Sequence, residues 1–280
     1  MGRQTQSLIP GLGRMTNLLS NVSFEVIPMK GIEEKASRLP PGAKVSVTAS
    51  PAKGMVATID LATLLHREGF EVTPHLSARL ISDRQELDAI ITDLAAEGIG
   101  RALVVGGDAL EPGKFADALD LLREMESLGH HFSELGIAGY PEGHPFISGD
   151  ALRQALIEKR RYAHYITTQM CFDPRAIATW IKGTRLDGVK LPIRLGIPGV
   201  VDPIRLGKIA SRIGVGTSMK FLMRNRNAIM RLLRPGVYRP TKLVKSLNEL
   251  DGDLGIVGLH IFTFNQIGPT MDWLERIAGR

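Results

Sequence analysis

The polar residues best suited to chemistry are concentrated in the stretch GIAGYPEGHPF, residues 136 to 146. Within it, Tyr140, Glu142 and His144 alternate with other residues, in a chain that has only four tyrosines and seven histidines. A phenol, a carboxyl and an imidazole can exchange hydrogen bonds and transfer protons. Because glycine and proline allow tight turns, this pattern predicts that the three side chains face one bound ligand.

A second reactive group, Glu25, lies inside the apolar stretch VSFEVIP, residues 22 to 28. A carboxyl buried among apolar residues is costly unless it has partners. A structural ion pair would provide one, but we favour a functional role for Glu25.

Further polar residues stand where other apolar runs end. They are Thr48, Ser50, His75, Asp108, Gln169, His260, Thr263 and Asn265. Some of the candidate residues also have a simpler structural interpretation. His75 and His144 could be packed histidines, Asp108 a helix cap, and Gln169 an ordinary hydrogen-bonding residue of a strand. The sequence contains no H-x-x-x-H, no C-x-x-C and no closely spaced carboxylate–histidine cluster, so it predicts no metal site.

Eight apolar runs alternate with amphipathic stretches, the pattern of a parallel sheet with helical connections. The predicted helices include 55–69, 83–98 and 114–129, and the predicted strands are 22–28, 44–50, 71–77, 101–107, 135–140, 165–170, 191–197 and 255–264. Eight such units predict a single-domain α/β protein, a (β/α)8 TIM barrel. An open doubly wound sheet is the rival, but neither a G-x-G-x-x-G after the first strand nor a P-loop is present. In a barrel, all the strand-end residues named above meet at one mouth.

The composition is that of a soluble globular protein, with 44% hydrophobic and 23% charged residues among 280. No apolar run approaches the roughly 18 residues of a membrane helix. The single cysteine, Cys171, excludes an internal disulfide and predicts a reducing compartment, which we take to be the cytoplasm. The net charge of +6 favours anionic ligands.

Two segments fall outside the barrel pattern: an N-terminal extension, 1–20, and a basic helical insertion before the last strand, 215–250. The stretch 218–235 contains no acidic residue and five basic ones, Lys220, Arg224, Arg226, Arg231 and Arg234. A solvated helix face is one interpretation, and a surface that attracts an anionic cofactor or substrate tail is the other. Nucleic-acid binding is disfavoured because no Tyr or Trp is interleaved with the basic residues.

Seven motifs at the strand ends resemble the methylenetetrahydrofolate reductase family. They occur in the family's order, from residue 22 to about 265, and the most specific is AGYPEGHP. The others are FEVIP, VSVTAS, PHLS, GGD, ITTQMCFD and GLHIFTFN. The resemblance implies a (β/α)8 barrel that binds FAD at its mouth. It also implies reduction of methylenetetrahydrofolate to methyltetrahydrofolate by NADH or NADPH.

The resemblance also implies a role for each matching residue. Glu25 matches a general acid that protonates a folate nitrogen, and burial among apolar residues would favour its protonated form. Asp108 matches an aspartate beside the pterin and flavin, counted here as catalytic. Gln169 and Phe262 match substrate-binding positions. The positions matching the FAD site are Thr48, His75, Gly107, Asp108, Tyr140, His144 and Lys159.

The chain departs from the family pattern at three positions of the expected FAD site. Gly106 replaces an arginine, Ala155 an asparagine, and Pro203 an aromatic residue. Hydride could therefore pass to the folate either through a flavin or directly from the nicotinamide. Two further alternatives keep the folate pocket: a tetrahydrofolate-dependent methyltransferase or demethylase, and a folate-binding protein without activity. The sequence does not decide whether the electron donor is NADH or NADPH, nor whether the chain forms a homo-oligomer.

Overall fold

The structure is a computed structural model that describes residues 18–144, 146–202, 237–248 and 254–279. Most of the predicted N-terminal extension and the whole basic stretch 218–235 lie outside these described residues. Within the described part of the chain, no helix combines the length and the apolar character needed to cross a membrane.

Eight parallel strands form a closed barrel in which each strand pairs with its neighbours in sequence and β8 closes on β1. The strands are β1 (Val22–Val26), β2 (Lys44–Val47), β3 (Glu71–Ser77), β4 (Arg101–Val105), β5 (Glu134–Gly139), β6 (Tyr165–Thr168), β7 (Ile193–Pro198) and β8 (Ile256–Phe262). The predicted (β/α)8 barrel is therefore confirmed. Several strands end two or three residues before the predicted boundary, and the remaining residues of those runs belong to the loops at the mouth.

Helices connect the strands and cover the outside of the barrel. They are α1 (Ile32–Ala36), α2 (Gly54–Arg67), α3 (Arg84–Ala96), α4 (Ala118–Leu128), α5 (Gly149–Lys159), α6 (Pro174–Leu186), α7 (Thr241–Asn248) and α8 (Ile267–Ile277). Helix α4 begins four residues after the predicted start, residue 114. Asp117 determines this boundary, because its side chain accepts hydrogen bonds from the backbone amides of Leu119 and Asp120.

The hydrophobic core lies between the strands and the helices, whereas much of the barrel interior is polar. On β1, Phe24 and Val26 belong to the outer core, and the intervening Glu25 lines the interior cavity. At the N-terminal end of the barrel, Arg101 forms ion pairs with Glu71 and Glu134. Residues that alternate along a strand therefore face two very different environments.

Candidate active site

One cavity opens at the C-terminal ends of the strands, with about 1110 Å³ of empty space that includes its open mouth. Its size suits a small organic ligand or cofactor. Eight of the ten predicted site residues line it: Glu25, Thr48, His75, Gly107, Asp108, Tyr140, Gln169 and Phe262. The barrel thus brings together side chains from β1, β3, β8 and the loops after β2, β4, β5 and β6.

The surroundings of Glu25 differ from the sequence-based expectation. Its carboxyl was expected among apolar side chains, but its neighbours inside the barrel are polar. The Oε2 atom lies 3.2 Å from His260 Nε2, and both residues are buried. The expectation was wrong because adjacent residues of a strand point to opposite faces, so Phe24 and Val26 do not surround the carboxyl.

His260 connects Glu25 to a deeper residue, Ser23. The Ser23 hydroxyl oxygen lies 3.0 Å from His260 Nδ1 and 3.5 Å from the carbonyl oxygen of Leu259. His260 was predicted only as a polar strand-end residue, and Ser23 was missed altogether. The signal for Ser23 was its two-residue spacing from Glu25, which places both side chains on the same face of β1.

His75 occupies a comparable arrangement on β3. Its Nε2 atom lies 2.7 Å from the Ser46 hydroxyl oxygen, and that hydroxyl can donate to the Thr73 carbonyl oxygen at 3.2 Å. Burial, with a smaller contribution from His260, lowers the pKa of His75 to about 3. The imidazole is therefore neutral at physiological pH.

The three polar side chains of the turn GYPEGH, residues 139–144, have different surroundings. Tyr140 lines the cavity, and burial together with the nearby Asp108 raises its pKa to about 12. His144 packs edge-on against the Tyr140 ring, with 5.2 Å between ring centroids, and is not among the residues that line the cavity. Burial lowers the pKa of His144.

Glu142 does not face the cavity, so the prediction that all three side chains of the turn face one ligand was wrong. Its carboxylate accepts hydrogen bonds from the backbone amides of Phe172, at 2.5 Å, and Asp173, at 2.7 Å. These bonds join the turn after β5 to the loop after β6. Glu142 thus supports the position of the segment that carries Gln169.

The loop that carries Asp108 is held in place by Arg79. The Arg79 guanidinium donates to the backbone carbonyl oxygens of Ala109, Leu110 and Ala116. Asp108 follows Gly107, whose φ of +88° is one that L side chains rarely adopt. A Cβ atom at Gly107 would lie 2.0 Å from the Ser77 hydroxyl oxygen and 3.3 Å from the Ser77 Cβ atom, so a side chain there would require Ser77 or the loop to shift.

Gln169 and Phe262 reach the cavity from opposite sides of β7. The backbone amide of Gln169 donates to the Gly139 carbonyl oxygen at 2.7 Å, which continues the sheet one residue beyond β6. Phe262 packs edge-on against His260, with 5.0 Å between ring centroids. Gly196 lies between them on β7, where a Cβ atom would be 2.3 Å from the Thr168 carbonyl oxygen and 2.8 Å from the Phe262 ring.

Lys159, predicted at the cofactor's phosphates, is buried at the end of α5 and is not among the residues that line the cavity. Burial lowers its pKa to about 8, against a smaller raising effect of Asp117. The ammonium group is therefore held in a poorly solvated position.

Replacing Lys159 with methionine should stabilise the protein by an amount that depends on pH. Below pH 8, both the folded and the unfolded lysine are protonated, and burial of the charge costs about 3 kcal/mol. Between pH 8 and about 10.5, only the unfolded chain keeps the proton, so wild-type stability rises with pH relative to the variant. Urea denaturation of both proteins from pH 7 to 10 measures the difference. A difference that stays constant over this range would contradict the shifted pKa.

Glu25, His75 and His260 form a cluster that the sequence did not reveal. Each offers one potential ligand atom, and these atoms all lie within 4.8 Å of one another. No such cluster is visible as a short spacing in the sequence, because the three residues come from β1, β3 and β8. Sequence spacing cannot detect a contact that only closure of the barrel creates.

Comparison with known proteins identifies relatives of this barrel. A family model described as methylenetetrahydrofolate reductase matches residues 21–277. The chain is 25% identical over 210 residues to Methylenetetrahydrofolate reductase (NADH) 1 of Arabidopsis thaliana, an alignment that covers 65% of this chain and 34% of the relative. The protein of the same name from Zea mays is 24% identical, with the same coverage.

A shorter alignment links the chain to a yeast protein. Methylenetetrahydrofolate reductase 2 of Saccharomyces cerevisiae is 33% identical over 94 residues, covering 32% of this chain and 15% of the relative. The chain thus spans 34% or less of the length of these three relatives.

Proposed function

The chain belongs to the methylenetetrahydrofolate reductase family, and on that premise we propose that it reduces 5,10-methylenetetrahydrofolate to 5-methyltetrahydrofolate. The electrons come from NADH or NADPH. The names of the two plant relatives specify NADH, so NADH is the first donor to test.

The observation that carries the proposal is the buried Glu25 carboxyl on the wall of the cavity, with one oxygen against His260. In its protonated form, Glu25 donates a proton to a folate nitrogen and the five-membered ring opens. The resulting iminium accepts a hydride at the methylene carbon. Each turnover consumes one hydride from the nicotinamide and one proton, which Glu25 regains from solvent before the next turnover.

The residues around Glu25 provide binding and orientation. Asp108 and Gln169 hydrogen-bond the pterin, and Phe262 supplies an apolar contact for its ring. His260 Nε2, 3.2 Å from Oε2, holds the carboxyl in position on the cavity wall.

Part of the predicted FAD set fits a flat ring system in the cavity. Thr48, His75, Gly107 and Tyr140 line it together, and so does Ser77, whose buried hydroxyl has no hydrogen-bond partner among the described residues and is available to a ligand. When bound there, FAD supplies hydride transfer between nicotinamide and folate. His144 and Lys159, predicted for the remainder of the cofactor, do not line this cavity.

The experiment is anaerobic turnover of methylenetetrahydrofolate with each nicotinamide, with and without added FAD. We expect oxidation of NADH or NADPH that depends on the folate, with methyltetrahydrofolate formed in equal amount. Turnover without flavin would assign direct hydride transfer. Folate binding with no nicotinamide oxidation under any condition would contradict the reductase. Methyl transfer from methyltetrahydrofolate to an acceptor would instead establish the methyltransferase.

A further inference from the structure

Glu25, His75 and His260 have the composition of a metal site. Two histidines and one glutamate are the protein ligands of a well-known class of catalytic zinc sites, in which the fourth position stays open. We propose that this cluster binds one divalent transition-metal ion, with Zn²⁺ as the preferred ion. The inference stands on the geometry alone and does not depend on the proposed reaction.

The positions of the ligand atoms are compatible with one ion. A bond length of about 2.0–2.2 Å to nitrogen or carboxylate oxygen places tetrahedral ligands roughly 3.3–3.5 Å apart. Glu25 Oε2 and His260 Nε2, at 3.2 Å, already have nearly this separation. The ligand atom of His75 lies within 4.8 Å of both, so a small movement of its side chain completes the set.

Both histidines are oriented from behind by a serine. Metal-binding histidines usually have their second ring nitrogen hydrogen-bonded, which selects the tautomer and the ring orientation. Here Ser46 contacts His75 Nε2 at 2.7 Å, and Ser23 contacts His260 Nδ1 at 3.0 Å. Each serine hydroxyl also lies near a backbone carbonyl oxygen to which it can donate, so it can accept from the imidazole N–H. The other nitrogen of each ring then keeps its lone pair for a ligand.

The surroundings of the three residues leave an open coordination position. All three residues are buried and all three line the cavity, so an ion can enter from the mouth and keep a solvent molecule as its fourth ligand. Two nitrogen ligands and one carboxylate suit Zn²⁺, whereas Mg²⁺ and Ca²⁺ prefer sites made of oxygen ligands.

Metal binding and proton donation at Glu25 exclude each other, because a carboxylate that binds an ion cannot carry the proton. If the proposed reaction is correct, Zn²⁺ therefore inhibits it. Zn²⁺ affinity can be measured without folate, so the metal site and the reductase activity can be tested separately.

The test is titration of the metal-free chain, after removal of any histidine tag, with Zn²⁺ in competition with a chromophoric chelator. We expect one tightly bound ion per chain. Replacing the orienting residue in Ser23→Ala or Ser46→Ala should weaken the affinity by about 10- to 100-fold, and His260→Ala should weaken it further. Bound Co²⁺ in place of Zn²⁺ should give the visible absorption of a low-coordinate nitrogen and oxygen site.

Two controls make the result decisive. His131→Ala removes an exposed histidine at the other end of the barrel and should leave the affinity unchanged. Glu25→Gln removes the anionic ligand with little change in volume, so it reports on the site even if a histidine variant folds poorly. Equal Zn²⁺ affinity in wild type, His260→Ala and Glu25→Gln would overturn the proposal, and so would the absence of binding to the wild-type chain at 100-fold excess of the ion.

Discussion

Glu25→Gln is expected to lower methylenetetrahydrofolate reduction by about 10²- to 10⁴-fold, the usual contribution of a general acid. Glutamine has nearly the same shape as glutamate, but its amide cannot protonate the folate nitrogen. Ring opening, and with it hydride acceptance, becomes slow. The measurement is folate-dependent NADH oxidation at saturating folate, which isolates the loss in kcat from any loss in binding.

The folded state and the folate affinity of Glu25→Gln should change little. The introduced amide is expected to keep a hydrogen bond to His260, so the thermal midpoint should stay within a few degrees of wild type. Glu142→Gln is the matched control: it makes the same chemical change near the same mouth, and its amide oxygen can still accept from Phe172 and Asp173. Comparable losses in both variants, or full activity of Glu25→Gln, would rule out the proton-donor role.

Gly107→Ala is expected to have the second large effect, because it acts on the backbone that positions Asp108. The substitution combines a left-handed backbone, costing about 1–2 kcal/mol, with the close approach of Cβ to Ser77. Either the loop moves, or the Ser77 hydroxyl rotates away and its Cβ atom still lies 3.3 Å from the added methyl group. A displacement of about 1 Å at a residue that orients the substrate can lower kcat/KM by about 10²-fold.

Two other glycines separate these contributions. Gly143 has a similar φ of +79° but nothing within 4 Å of an added Cβ atom, so Gly143→Ala measures the backbone cost alone. Gly106 has neither constraint, and Gly106→Ala should be close to neutral. The losses in unfolding free energy and in kcat/KM should therefore be smallest for Gly106→Ala, larger for Gly143→Ala and largest for Gly107→Ala. Chemical denaturation and steady-state kinetics measure them. A Gly107→Ala protein no worse than Gly143→Ala would show that the contact with Ser77 is unimportant.

The fold was predictable, and so was the placement of most proposed site residues at the mouth, because both depend on local patterns. Alternation of apolar runs with amphipathic stretches indicates a parallel sheet, and the end of each run is visible in the sequence. The barrel was confirmed, as was the family suggested by motifs such as AGYPEGHP. Eight of ten predicted site residues line the cavity because strand ends in a barrel share one mouth.

The partners of individual side chains were not predictable in the same way. Glu142 has the residue type and the place of a ligand-binding group, yet its carboxylate bonds to backbone amides 30 and 31 residues away. Lys159 has a suitable charge, but helix α5 buries it outside the cavity. A residue type shows what a group can do, whereas its direction depends on packing among distant segments.

The amino-acid sequence was enough to predict the barrel, the family and the set of polar residues available at the mouth. The folded structure was needed to show which of them touch: Glu25 meets His260 across 235 residues of chain, and Ser23 and Ser46 contact the two histidines. The physical reason is that periodicity records the face on which a residue lies. Closure of the sheet and the register between strands decide which residues become neighbours inside it.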